Sequence, residues 1–260
     1  MVNRFVVIFI LTICTLFGIF FAGWNIVSER RSARNAIADA KREDILITVI
    51  EGKRWEEIAG QMDRAGITSF ADFKAILEAT KSPVEGTLFP ETYRFFPATP
   101  AGDVIEKLRL TYARKLVDAA PTNDQLILAS IVEREAQNDV ERSVIAGIYQ
   151  NRLSVGMSLD ADPTVQYAKD TQAYAKAGKP RDFEFWGAIT QADYRGVISP
   201  YNTYINRGLP PGPICNPGVK SILAAMNPAD HDYTYFFHRN GELVLSKSLA
   251  EHQRKFSIKR

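Results

Sequence analysis

The sequence predicts an α+β fold set behind an N-terminal transmembrane helix. An uncharged apolar run opens the chain, a strand–helix–helix–strand pattern follows, and a helix-rich stretch gives way to a Pro/Gly-rich loop and a hairpin. The 260 residues suffice for one sizeable domain and a small one. Hydrophobic residues make up 46% and charged residues 24%, which places the bulk of the chain among ordinary globular proteins. The formal net charge of +2 is too small to draw nucleic acid, so no polyanion is expected as the main partner.

The opening run, residues 5–24, reads FVVIFILTICTLFGIFFAGW, and no charged residue occurs from Phe5 to Ser28. About twenty helical residues span about 30 Å, the thickness of a bilayer core. Trp24 stands where an interfacial aromatic belongs. A cleaved signal peptide is the rival reading, but the run is long and no small-x-small cleavage site follows it. An uncleaved anchor is therefore expected over residues 1–28. Arg4 and the amino terminus precede the span, while Arg30, Arg31, Arg34, Lys41 and Arg42 follow it. That count alone places the C-terminal side in the cytoplasm.

Residues 29–44 are charged and Ala-rich and read as a stalk. Ile45 to Ile50 is short and β-branched, hence a strand. Trp55, Ile58, Ala59 and Met62 follow at helical spacing. Ser69 is placed to cap a second helix carrying Phe70, Phe73, Ile76 and Leu77. ETYRFF, Glu91 to Phe96, reads as a strand again. This βααβ unit over residues 45–97 is too small to bury much core alone and is expected to dock on residues 98–260.

Pro97 and Pro100 then break the chain. Helices are expected over about residues 101–119, from a cap at Thr122 or Asn123 onward, and over about residues 140–153. In SPYNTYINRGLPPGPICNPG, residues 199–218, five of the 13 prolines exclude a long helix or a central strand. Its Tyr201, Asn202, Tyr204 and Asn206 suit a sugar, which offers a ring face to stack and hydroxyls to bond. A structural crossover loop is an equal reading. A short helix over Ser221 to Met226 follows, and YTYFFH and LVLS form a hairpin around Asn240–Gly241.

The chemistry centres on LILASIVEREAQNDV, residues 126–140, read as one helix interrupted by Glu133 and Glu135. Residues two apart do not share a helix face. Glu135 follows Ile131 and Val132 at the four- and three-residue offsets, whereas Glu133 follows Ala129 and Ser130. Glu135 thus lies on the greasier stripe. Desolvation there raises a carboxyl pKa and makes the group a proton donor near neutral pH, as a general acid must be. A core glutamate held by hydrogen bonds or by an arginine is the competing reading, as is Glu133 in the acid role.

A hydrolase would want a second carboxylate. Glu85, Glu91, Asp160 and Asp162 are the candidates, and Asp162, just before Pro163, reads first as a helix cap for Thr164 onward. His231, His238 and His252 lack metal-ligand spacing, and Cys14 and Cys215 are not expected to pair. No glycine-rich phosphate loop and no nucleophile elbow occur. No metal and no cofactor are expected.

The segments EGTLFPETYRF, ASIVEREA, YQNRL..GM.L..DPTVQYA and YNTY...GLPPGPICNPG, in this order over about residues 46–255, resemble the endolytic murein transglycosylase family (MltG, or YceG-like). The resemblance implies a single-span inner-membrane protein with a LysM-like unit packed on a mixed α/β lytic transglycosylase domain. It implies that the domain faces the periplasm, which overrules the charge count. It implies cleavage of nascent peptidoglycan glycan strands between N-acetylmuramic acid and N-acetylglucosamine. The product end is a 1,6-anhydromuramyl residue, formed without water, and strand elongation stops. The family's catalytic glutamate is the second of an E-x-E pair, here Glu135, and one carboxyl suffices. Asp162, Gln166, Tyr167, Tyr201, Asn202 and Tyr204 are then expected to line the substrate, with peptidoglycan synthases as partners. A non-catalytic glycan-binding scaffold and a lysozyme-type muramidase are the other two readings.

Overall fold

Residues 43–80 and 84–257 are described by a computed structural model of the chain. The anchor expected over residues 1–28 and almost all of the stalk lie outside the described residues. Among the described residues no helix is long and apolar enough to cross a membrane.

The first elements follow the expected order. Strand β1 (Ile45–Thr48) pairs with β2 (Thr92–Phe95). Helix α1 (Trp55–Arg64) buries Ile58, Ala59 and Met62, and helix α2 (Phe70–Thr80) buries Phe73 and Leu77 against it. Ser69 caps α2 as its position suggested, its hydroxyl oxygen accepting the Asp72 N–H at 3.1 Å. Helix α3 (Ala101–Lys115) packs on α2 and stops four residues short of Ala119. Ala120 precedes Pro121 and has φ of +42°, and a residue before proline is pushed out of the helical region.

Helix α4 (Asn123–Glu135) is the centre of the second half. Thr122 caps it in a reciprocal box, its hydroxyl accepting the Gln125 N–H while the Gln125 side chain accepts the Thr122 N–H at 2.9 Å. Every residue from Leu126 to Val132 is buried, so α4 has no solvent face over two turns. It is enclosed by α5 (Asp139–Ser154), α6 (Asp162–Lys176) and α8 (Val219–Met226); the single turn α7 (Asp193–Gly196) lies between the last two. The segment 126–140 is therefore two helices and not one: α4 ends at Glu135, and Asn138 caps α5 by accepting the Val140 and Glu141 N–H groups. At Gly147 a Cβ would overlap the Ala229 carbonyl oxygen, so α5 needs glycine where the chain crosses it.

Strands β3 (Tyr235–Arg239) and β4 (Glu242–Ser246) form the expected antiparallel hairpin. Asn240 and Gly241 make its two-residue turn, with φ of +53° and +78°. Helix α9 (Leu249–Ser257), not expected from the sequence, is the last described element, and none of its residues is fully buried. Phe256 meets the exposed side of β3 instead, its ring 5.3 Å from that of Phe237.

Leu46–Arg260 forms one compact unit. Asn216, fully buried in the Pro/Gly-rich loop, ties the βααβ elements to the helical part. Its amide donates to the Lys53 carbonyl at 3.0 Å and to Glu85 Oε1 at 2.8 Å, and its Oδ1 accepts the Leu88 N–H at 2.8 Å. Its backbone also pairs with Gly52 and Lys53. Asn216→Ala leaves the buried Leu88 N–H unpaired and takes one of two donors from both the Lys53 carbonyl and Glu85 Oε1, and the expected loss of stability is roughly 2 kcal/mol. A urea unfolding titration of the variant against the parent chain measures it; a change under half that size would show that solvent replaces the amide.

Candidate active site

Glu135 is the last helical residue of α4, and Ala136 already has extended backbone. Only residues 136–138 connect α4 to α5, so α5 folds straight back along α4. That return brings the buried Tyr149 hydroxyl to Glu135, where it donates to Oε1 at 2.9 Å. The residue keeps part of its surface open to solvent, while its carboxyl is enclosed by protein. Burial pushes the carboxyl up to about 7. The Tyr149 hydrogen bond works against that rise, the Asp162 charge adds to it, and Arg152 opposes it.

Asp162 is the first residue of α6, and its Oδ1 accepts the Tyr204 hydroxyl at 2.6 Å. It is not the cap of a helix from Thr164. Ala161 occupies the cap position, and Pro163 sits in the first turn, where its missing N–H does no harm. Tyr204 in turn stacks on Tyr194 of α7, the ring centroids 4.3 Å apart. A carboxyl with a tyrosine donor, a second carboxyl in electrostatic range and two stacked rings thus surround the end of α4.

Glu133 has a different place. It pairs with Arg142 at 3.2 Å and accepts the Gly218 N–H at 2.9 Å, at the head of α8. A carboxylate there is favoured by the helix dipole and cross-links α4, α5 and α8. A Cβ at Gly218 would meet the Glu51 carboxyl, which lies over the same turn.

The YceG-like family model matches residues 17–257. The chain belongs to the YceG-like family. It is similar to a protein of Bacillus subtilis named endolytic murein transglycosylase, with 39% identity over 184 residues, 67% of this chain and 47% of that one. A protein of Streptococcus pneumoniae with the same name is 30% identical over 186 residues, 65% of this chain and 32% of that one. The chain therefore spans less than half the length of these relatives. The crystal structure of a YceG-like protein from Listeria monocytogenes superposes with a TM-score of 0.66 at 29% identity, covering 80% of this chain and 74% of that one.

Of the expected lining residues, Asp162 acts electrostatically on Glu135 in this YceG-like chain and binds Tyr204. Tyr167 and Tyr201 pair with each other, ring centroids 4.7 Å apart, and the buried Arg54 guanidinium lies 4.2 Å over Tyr167. Gln166 reaches the Gly187 carbonyl at 3.3 Å. Asn202 corrects the expectation: it is fully buried, its amide donates to the Tyr194 and Val197 carbonyls, and its Oδ1 accepts the Tyr204 N–H. It shapes the loop that presents Tyr204 and lines nothing. Tyr149, Tyr194 and Arg152 went unnoticed in the sequence. Tyr149 had one available signal, a phenol on the Ile145–Tyr149–Leu153 stripe of an apolar helix face.

The other candidate carboxyls have structural partners. Glu85 accepts the Trp55 N–H, Glu91 pairs with Lys115 at 2.7 Å, and Asp160 lies 3.9 Å from Arg152. Among the described residues no group of histidine, cysteine and carboxylate side chains could hold a metal. Cys215 is buried against the Ser130 carbonyl. A cavity of about 700 Å³ lies at the other end of α4, lined by Asp124, Leu128 and Pro210 among others, away from Glu135.

Two consequences follow from the raised Glu135 carboxyl. Below the unfolded value of 4.5 both states hold the proton; between that and about 7 the unfolded chain releases it first, so stability falls as pH rises. Relative to Glu135→Gln, the parent chain should lose roughly 2–3 kcal/mol between about pH 4 and pH 8, measured by urea unfolding of both proteins. Tyr149→Phe removes the donor to the carboxylate and should raise the Glu135 pKa further, by about one unit. A carboxyl-carbon NMR titration reads that shift, and an unmoved midpoint would mean that solvent replaces the phenol.

Proposed function

We propose that this protein is a lytic transglycosylase of peptidoglycan, with Glu135 as its one acid and base. The observation that carries the reading is an enclosed carboxyl at the end of α4, raised to about 7 and hydrogen-bonded by Tyr149. The names of the Bacillus and Streptococcus relatives support it. Protonated Glu135 gives its proton to the glycosidic oxygen between N-acetylmuramic acid and N-acetylglucosamine, and the C1–O bond breaks. The glutamate left behind accepts the proton of the muramic C6 hydroxyl, whose oxygen closes on C1. No water enters, and the carboxyl ends protonated for the next turn. Asp162, oriented by Tyr204, stabilises positive charge at C1.

The finer parts of the reading belong to the same proposal. Residues 1–28 anchor the chain in the inner membrane as a single span, and the catalytic part faces the periplasm, where its substrate lies. The βααβ unit is LysM-like. Nascent glycan strands are the substrate, endolytic cleavage ends their elongation, and peptidoglycan synthases are the working partners.

Mass spectrometry of glycan strands digested by the full chain tests the chemistry. Anhydro ends are lighter than reducing ends by one water. They should form with the parent chain and with Glu133→Gln, and vanish with Glu135→Gln. The rate should fall as pH rises above about 7, because the first step needs the protonated acid. Reducing ends would instead mean a muramidase using Asp162, and no cleavage would mean a binding role.

A further inference from the structure

Arg134 stands between the two glutamates. Its guanidinium lies 3.9 Å over the Trp186 ring. On its other side is Gly52, where a Cβ would sit 3.4 Å from Nη1. Nε is buried without an acceptor, and no ion pair or hydrogen bond engages the group among the described residues. The buried Arg54 and Arg152 and the half-buried Arg142 are engaged: Arg54 with Glu56 at 3.0 Å, Arg152 with the Leu159 carbonyl at 2.5 Å, Arg142 with Glu133 at 3.2 Å. Arg134 is half-buried and its Nε is left without an acceptor, while its planar fork matches a carboxylate.

The support beneath it is built firmly. Trp186 has φ of +67°, a strained value for a bulky residue. Asp170 holds that backbone by accepting the Trp186 and Gly187 N–H groups, and the indole N–H donates to Glu57 at 2.9 Å. Glu57, the carboxylate beside Trp186, is itself held by Lys53. Arg134 and Glu135 leave the end of α4 in different directions, but their Cα atoms are only about 3.8 Å apart, so a glycan strand bound at Glu135 passes within reach of Arg134.

We propose that Arg134, laid over Trp186, receives a carboxylate carried by a muramyl residue of the substrate. This rests on the peptidoglycan reading above. Two carboxylates fit the chemistry: the lactyl group of a strand stripped of its peptide, or a carboxylate on the peptide itself. The first probe is N-acetylmuramic acid, with N-acetylglucosamine as the carboxylate-free control. The second is an N-acetylmuramyl dipeptide, whose lactyl group is an amide, with its carboxamide derivative as control.

Calorimetric titration of the full chain should show at least one acid bound about tenfold more tightly than its control, the worth of one charge-assisted pair. The acid that wins identifies the source. Arg134→Gln should remove the preference. Arg134→Lys, which keeps the charge without the fork, should keep part of it and shows that the site tolerates substitution. Acids and controls binding alike, or a preference that survives Arg134→Gln, would overturn the proposal. Binding needs no turnover, so a chain that selects the acid but cleaves no strand keeps this subsite and refutes the lytic reading instead.

Discussion

Burial of α4 on all sides is the constraint on which the rest of the candidate site depends. From Leu126 to Val132 the helix has no solvent face, and it then ends abruptly in three charged residues. Successive residues of a helix point about 100° apart. Glu133, Arg134 and Glu135 therefore enter three different surroundings: the Arg142 and Gly218 contacts, the Trp186 face, and the Tyr149 hydroxyl. A surface helix would leave all three in water with ordinary properties. Here the packing that fixes α4 also decides which charge is neutralised, which is left open and which holds a proton.

The packing is itself directed by polar groups. Ser130, fully buried, accepts the Ile214 N–H at 3.0 Å and so stitches the Pro/Gly-rich loop to α4. Two residues on, Asn216 fastens the same loop to Lys53, Glu85 and Leu88. Arg54 adds a buried pair with Glu56 and the rings of Tyr167 and Phe185 at 4.2 and 4.3 Å. Such groups contribute little net stability but are expensive to misplace, so they select one docking geometry. The βααβ elements thereby hold the loop that holds α4. Burial also raises Glu85 well above the ordinary carboxylate range, and the neighbouring Glu56 adds to the rise, while its Oε2 finds no partner.

Much of this was legible in the sequence, and the limits are physical. Period and capping gave α1, α2 and α4, because those helices each bury one recognisable side or carry a side-chain cap. The wheel separated Glu135 from Glu133, since it needs only local offsets. Partners over long separations gave no such signal. The Tyr204 hydroxyl on Asp162 spans 42 residues, and nothing local distinguishes it from the buried Asn202 two positions earlier. The same segment mixes residues that present a surface with residues that shape it, and composition alone merges the two. Helix α9 was missed for want of length: it has nine residues, and little beyond Leu249 and Phe256 marks its apolar side.

A single carboxyl that first gives a proton and then takes one meets a narrow requirement. If its pKa is far below the working pH it starts without the proton; if far above, its anion is too basic to be left behind. Desolvation alone drives a buried glutamate upward without a natural stopping point. At Glu135 the Tyr149 hydroxyl and the Arg152 charge pull downward while Asp162 pushes upward, and the balance lies at about 7. Tyr149 comes from α5, Asp162 from α6, and the carboxyl itself from α4. The pKa is thus a property of three packed helices. A substitution that shifted any one of them would move the proton before it disturbed the fold.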